Sequence, residues 1–332
     1  MKTNTKVPLV LSEITSLWNE YMNDSSAICL FKYFLNDIDD EEIRSVLQHA
    51  LTVSEEHIKY KNQLMEQEDL AIPVGYTDQD VNINAPRLFT DSYYLLYLKN
   101  MLSFSLEGYS LVLRYVTRPD IRDHFSKCLV EAIDMYNKVV DVELSKGLTL
   151  RVPRAEVKKR PIFPKDTSIL KGLLIENPRP MYAREVVNTF SGITMDIFVK
   201  ATLIAFAKVV DTQLIKEHLL KGRDIVSKHL KGFISKLANE DLPTPSTYES
   251  YVTDSIISPF SNKLIMTIVQ QLLNFGLIVD GSATAFSLRS DITALHLKCA
   301  AEIGKYAMDG LKIMINNGWF EQPPQVVNHD SL

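Results

Sequence analysis

The chain has 332 residues, of which 46% are apolar and 23% are charged, and its formal net charge is −5. This composition is typical of a globular protein and excludes a largely disordered chain. The net negative charge disfavours a general nucleic-acid surface. The only cysteines, Cys29, Cys128 and Cys299, are too sparse for a disulfide framework and favour a reducing, cytoplasmic setting.

Four helices are predicted in the first part of the chain. They cover, approximately, residues 12–34, 39–67, 90–115 and 117–147. Acidic residues at 39–42 suit the N-terminus of the second helix, and Pro119 suits the first turn of the fourth. Gly147 is a plausible left-handed residue at the end of the fourth helix.

A proline-containing linker follows these helices. Residues 149–180 contain Pro153, Pro161, Pro164 and Pro178, which predict an extended segment, with one short helix near residues 168–175. The basic triplet at 158–160 is interpreted as a solvated part of this linker.

The rest of the chain repeats the first part. At an offset of 172 residues, Glu13 matches Glu185, and the motif Glu68-Asp69-Leu70 matches Glu240-Asp241-Leu242. After a slip of one residue in a predicted loop, the offset is 171. Further identical pairs are Arg118 and Arg289, Asp120 and Asp291, Cys128 and Cys299, and Gly147 and Gly318. A constant offset on both sides of one loop indicates an internal duplication.

The predicted fold is therefore all-α, with two tandem four-helix bundles of ferritin-like up-down architecture. We predict a first bundle over residues 1–148, the linker over 149–180, a second bundle over 181–324 and a C-terminal tail over 325–332. The most apolar stretch, residues 193–210, contains Asp196, Lys200 and Lys208, so we expect no membrane span.

Common catalytic motifs are missing from the sequence. It contains no GxGxxG or GxxxxGK[ST] phosphate loop, no GxSxG elbow and no HExxH pair. It also contains no ExxH unit, which disfavours a ferritin-type di-iron oxidase.

Three polar residues lie on apolar helical stripes and recur in both copies. They are Asp24, His57 and Glu131, with the counterparts Asp196, His229 and Glu302. Burying such groups unpaired is costly, so each set should meet inside its bundle or bind an ion. A divalent metal site, a hydrogen-bonded structural network and a small-molecule pocket all fit this pattern.

Four stretches of the chain resemble a known family. They are residues 17–25, 82–89, 258–264 and 313–324. Together they are similar to a duplicated family of uncharacterised proteins from spore-forming bacteria, a numbered domain of unknown function with some members labelled as spore coat proteins. This resemblance implies ferritin-like helical bundles, an association with the spore and no established activity. The chain departs from the family pattern at Asn262, Asp280 and Leu288, which implies loss of any site that those residues form in the second copy.

Two functions follow as predictions. The first is a non-enzymatic structural or interaction protein that binds an unidentified protein partner or a second copy of itself. The alternative is a bundle that binds a divalent metal or a small ligand through the paired His and carboxylate clusters. Neither function involves nucleic acid.

Overall fold

Helices account for the regular structure of the described chain. The computed structural model describes residues 7–156, 160–173 and 178–326, and within these ranges it contains no β-strand. Val81 and Phe260 form an isolated antiparallel bridge. The long helices are α1 (Leu11–Asn36), α2 (Glu41–Gln67), α3 (Asp91–Val112), α4 (Pro119–Ser145), α5 (Ala183–Val209), α6 (Gln213–Ala238), α7 (Asn262–Phe286) and α8 (Ser290–Asn316).

The predicted all-helical fold with two copies of four helices is confirmed. Helices α1 to α4 form the first repeat and α5 to α8 form the second. In the first repeat α1 packs on α2 and α3 packs on α4, and in the second repeat α5 packs on α6. Their ferritin-like arrangement stays a prediction.

The backbone conformation after matched helices is the same in the two repeats. Asp69 and Asp241, the matched residues after α2 and α6, both have a φ of 55°. Gly147 and Gly318 follow α4 and α8 with φ values of 67° and 69°, in the left-handed region that favours glycine. The predicted glycine ends of both helices are therefore observed.

The chain divides into two compact units. One comprises the chain up to Thr149 together with Pro259–Leu264 and the segment from Gly318, and the other comprises Leu150–Ser258 and Ile265–Asn317. The domain boundaries expected from the sequence, at residues 148, 180 and 324, stay predictions. A short 3-10 helix, Thr167–Leu170, lies where a linker helix is predicted. Lys158, Lys159 and most of the predicted tail lie outside the described residues.

Two helices, α5 and α7, are long and apolar enough to cross a membrane. In α5, 72% of the most apolar window is buried within the protein, and Asp196 lies in this helix among the buried side chains. This burial is what a core helix shows, because its apolar faces pack against neighbouring helices rather than lipid.

Candidate metal centre

A polar cluster lies inside the first repeat, around the imidazole of His57. This residue is on α2 and is 6% exposed. Its Nδ1 lies 3.5 Å from a carboxylate oxygen of Asp24 on α1, and its Nε2 lies 3.2 Å from Oε2 of Glu131 on α4. The three residues singled out in the sequence of this repeat therefore meet, although their role as metal ligands stays a prediction.

The structure adds two donors to this group. Cys128 Sγ lies 3.4 Å from His57 Nε2 and 3.4 Å from Glu20 Oε1. Glu20, His57 and Cys128 are buried, and each offers one ligand atom such that all three atoms lie within 4.8 Å of one another. Carboxylate, imidazole and thiolate groups are the ligands that zinc and other first-row transition metals take in proteins.

His124 and Lys61 complete the surroundings of Glu20. His124 Nε2 lies 2.9 Å from Glu20 Oε2, and its ring stacks on Tyr60 with centroids 4.2 Å apart. The Lys61 side chain is fully buried, contacts Asp24 directly and places its Nζ 3.5 Å from Glu20 Oε2. This ammonium supplies positive charge to the two carboxylates.

The protonation states follow from burial and these neighbours. Burial opposes ionisation of Glu20, but Lys61 and His124 outweigh it and lower the pKa of Glu20 to about 2. Burial also opposes protonation of His57, but Asp24 and Glu20 outweigh it and raise its pKa. Burial, reinforced by Glu20, raises the pKa of the Cys128 thiol well above its usual range.

The second repeat places its predicted site residues differently. His229 Nε2 lies 3.0 Å from Glu302 Oε2, so the pair formed by His57 and Glu131 is preserved. Asp196 is buried and has an oxygen without a hydrogen-bond partner. The position of Lys61 is occupied by Phe233 in this repeat. Burial, reinforced by Asp280, raises the pKa of Asp196 well above its usual range.

Sequence reasoning missed Glu20, Lys61 and His124. Glu20 precedes Asp24 by one helical turn, Lys61 follows His57 by one turn, and His124 precedes Cys128 by one turn. Helical spacing is a signal for all three, but none of them recurs in the second copy, where Gly192, Phe233 and Leu295 stand instead.

A family model described as "Protein of unknown function (DUF3231)" matches the chain twice, over residues 1–160 and 171–332. The chain belongs to this family. The two matches correspond to the two repeats, and the family description assigns no activity. The expected membership of a numbered family of unknown function is therefore confirmed.

One solved structure is similar to part of the chain. It is a candidate spore coat protein from Bacillus halodurans C-125, with 14% sequence identity and a TM-score of 0.42. The match covers 45% of this chain and 98% of that protein, about the extent of one repeat. The comparison with curated proteins found no match.

Proposed function

We propose that the first repeat is a metal-binding domain, which holds one transition-metal ion between α1, α2 and α4. The observation that supports this proposal most is the convergence of one carboxylate, one imidazole and one thiol from Glu20, His57 and Cys128. Such a mixed nitrogen, oxygen and sulfur set favours Zn²⁺, Fe²⁺ or Co²⁺ over Mg²⁺ and Ca²⁺, which take oxygen ligands.

Neighbouring residues support the same assignment. Glu131 and Asp24 lie on opposite nitrogens of His57, at 3.2 Å and 3.5 Å, so either could hold the ring while the other nitrogen faces an ion. Carboxylates in this position orient ligating histidines and increase their basicity. Burial of the cluster keeps bulk water from competing for the ligands.

A purely structural charge network is the second candidate, and Lys61 favours it. Its buried ammonium already contacts Asp24 and lies near Glu20, so the carboxylates have a positive partner without a metal ion. Such networks hold helices in one register. The non-enzymatic structural or interaction role predicted from the sequence belongs with this candidate and stays a prediction.

Cobalt binding by the full chain, purified without a chelator or an affinity tag, tests the metal proposal. We expect a thiolate-to-cobalt charge-transfer absorption that saturates at one equivalent. Cys128→Ser should abolish this absorption and weaken the affinity of the site by at least ~10-fold, the lower end of the loss seen for supporting residues. Competition with Zn²⁺ gives the affinity for the biologically common ion.

Cys29→Ser is the matched control, because Cys29 is also a buried, free thiol of the first repeat but donates to the carbonyl of Thr77. It should leave the absorption unchanged. A wild-type chain without the absorption, or a Cys128→Ser chain that keeps it, would contradict the proposal. In that case, a large loss of stability in Lys61→Met would support the structural network.

A further inference from the structure

Four interior positions change their chemistry between the repeats. Glu20 and Lys61 of the first repeat correspond to Gly192 and Phe233 of the second, and Tyr109 and Phe125 correspond to Asp280 and His296. In the first repeat the rings of Tyr109 and Phe125 pack with centroids 6.1 Å apart. In the second repeat, His296 Nδ1 and Asp280 Oδ1 form a hydrogen bond of 2.7 Å. The second repeat has therefore lost one charged pair and gained a hydrogen-bonded histidine and carboxylate pair.

Asp196 has lost the cation that its counterpart contacts. In the first repeat, Asp24 accepts a hydrogen bond from the Lys61 ammonium, whereas the residue that corresponds to Lys61 is Phe233. Asp196 is 9% exposed, and its Oδ2 is buried without a hydrogen-bond partner. A buried carboxylate in this state is costly unless a positive group reaches it.

His296 presents the second unpartnered atom. Its ring is fully buried, and its Nδ1 is held by Asp280, while Nε2 is buried without a hydrogen-bond partner. When Nδ1–H of the neutral ring donates this hydrogen bond to Asp280, Nε2 carries the lone pair. This is the arrangement in which protein histidines bind metal ions, with a carboxylate orienting the ring from behind.

A small cavity lies beside Asp196 and Asp280. It has a volume of about 10 Å³, the room of a single water molecule or ion, and Gly192, Asp196, Phe233 and Asp280 are among its lining residues. A Cβ atom at Gly192 would lie 3.4 Å from Cε1 of His296 and 3.1 Å from the Phe233 ring. The glycine therefore leaves space next to the imidazole that the Glu20 side chain would fill.

We propose that the second repeat binds a divalent cation of its own, through the carboxylate of Asp196 and Nε2 of His296, with Asp280 orienting the imidazole. The ion supplies the positive charge that Lys61 supplies in the first repeat. Oxygen and imidazole donors without a thiolate favour Mn²⁺, Fe²⁺ or Zn²⁺. This site shares none of its ligands with the first repeat and does not depend on the function proposed there.

Manganese binding by the Cys128→Ser chain tests this proposal, because that substitution disables the centre proposed in the first repeat. Electron paramagnetic resonance distinguishes free from bound Mn²⁺, and we expect one bound equivalent. His296→Phe, which introduces the residue found at 125, should weaken binding at least ~10-fold. Asp196→Asn should do the same and also raise the stability of the metal-free chain, because a neutral amide is cheaper to bury than a carboxylate.

The matched control is His218→Val, which removes another buried histidine of the second repeat that contacts Tyr306 instead. Manganese binding should be unchanged in this variant. Absence of bound Mn²⁺ in a folded Cys128→Ser chain would overturn the proposal, as would binding that survives both His296→Phe and Asp196→Asn. The part of the cobalt absorption that Cys128→Ser removes reports the first repeat alone, so either proposal can fail while the other stands.

Discussion

Individual side chains show how far the interiors of the two repeats have diverged. In the second repeat His218 stacks on Tyr306, with ring centroids 4.3 Å apart, and the Tyr306 hydroxyl donates to the His218 carbonyl at 3.0 Å. Gly222 and Gly310 make room for this pair, because a Cβ atom at Gly222 would overlap the Tyr306 hydroxyl and one at Gly310 would lie 2.9 Å from His218 Nε2. Glycine in these helices is therefore a packing requirement.

Replacement of a helical glycine by alanine usually stabilises a protein, but at Gly222 we expect it to destabilise the chain. Gly222→Ala would gain about 1 kcal/mol from helix propensity, but overpacking against Tyr306 typically costs about 1–3 kcal/mol. We expect a net loss in the free energy of unfolding, measured in urea. The double substitution Gly222→Ala and Tyr306→Met recreates the Ala50 and Met135 pair of the first repeat. It should restore the stability that Gly222→Ala loses.

Gly304 provides the control for this prediction. It lies in α8, and a Cβ atom there would meet nothing within 4 Å, so Gly304→Ala should stabilise the chain by up to about 1 kcal/mol. A stabilising Gly222→Ala would show that Tyr306 can move aside.

The buried imidazole of His218 should make the second repeat sensitive to acid. Burial lowers the pKa of His218 from 6.5 to about 4, so the unfolded chain takes up this proton first as the pH falls. Above pH 6.5 neither the folded nor the unfolded state binds the proton. Between pH 6.5 and about 4 only the unfolded state binds it, so the free energy of unfolding decreases as the pH falls. The free energy of unfolding should fall by up to about 3 kcal/mol across this window.

His218→Val, which introduces the residue of the first repeat at 46, should remove this part of the pH dependence. Urea unfolding of both chains at pH 7.5, 5.5 and 4.5 measures the difference, and all other titrating groups cancel in the comparison. Parallel curves for the two chains would rule out His218 as the source.

At the scale of helices, one carboxylate in each repeat caps two helix starts. Glu13 accepts hydrogen bonds from the backbone amides of Val10 at 3.0 Å and Arg118 at 2.8 Å, at the starts of α1 and α4. Glu185 accepts from Tyr182 at 2.8 Å and Arg289 at 2.7 Å, at the starts of α5 and α8. These amides have no partner inside their own helices, and a negative charge there also suits the helix dipole.

The arginines at these helix starts pair with an aspartate two residues along the chain. Arg118 Nε lies 2.8 Å from Asp120 Oδ1, and Arg289 Nε lies 2.8 Å from Asp291 Oδ1. Arg118 also contacts Glu68 at 2.9 Å, and Arg289 contacts Glu240. The same motif thus joins the end of the second helix of each repeat to the start of the fourth.

Loss of this charge should destabilise either repeat. Glu185→Gln keeps the size of the side chain but weakens hydrogen bonds worth about 1.5–3 kcal/mol each when charged, so we expect a loss of about 1–3 kcal/mol in the free energy of unfolding. Hydrogen exchange should rise first at the amides that start α5 and α8. Glu41→Gln, at the exposed start of α2, is the control and should change stability by less than about 0.5 kcal/mol. Equal effects of the two substitutions would contradict the capping role.

At the scale of the whole molecule, the two repeats share their helix caps and helix ends but differ in the polar residues of their interiors. The paired caps and left-handed residues recur at matched positions, whereas Glu20, Lys61 and Tyr109 have no chemical equivalents in the second repeat. The backbone amides at a helix start need hydrogen-bond acceptors in both copies. In an interior, by contrast, one charged pair can be replaced by another polar pair as long as close packing is maintained.

The sequence alone determined the helices, their glycine ends and the duplication, because these depend on local spacing and on identities at a constant offset. It also predicted that Asp24, His57 and Glu131 meet inside the first bundle, since all three lie on apolar stripes. Only the tertiary structure decided which further side chains lie near these residues in the first repeat and near their counterparts in the second. Glu20, Lys61, Asp280 and His296 differ between the copies, and contacts between separate helices depend on three-dimensional packing that neither periodicity nor repetition records.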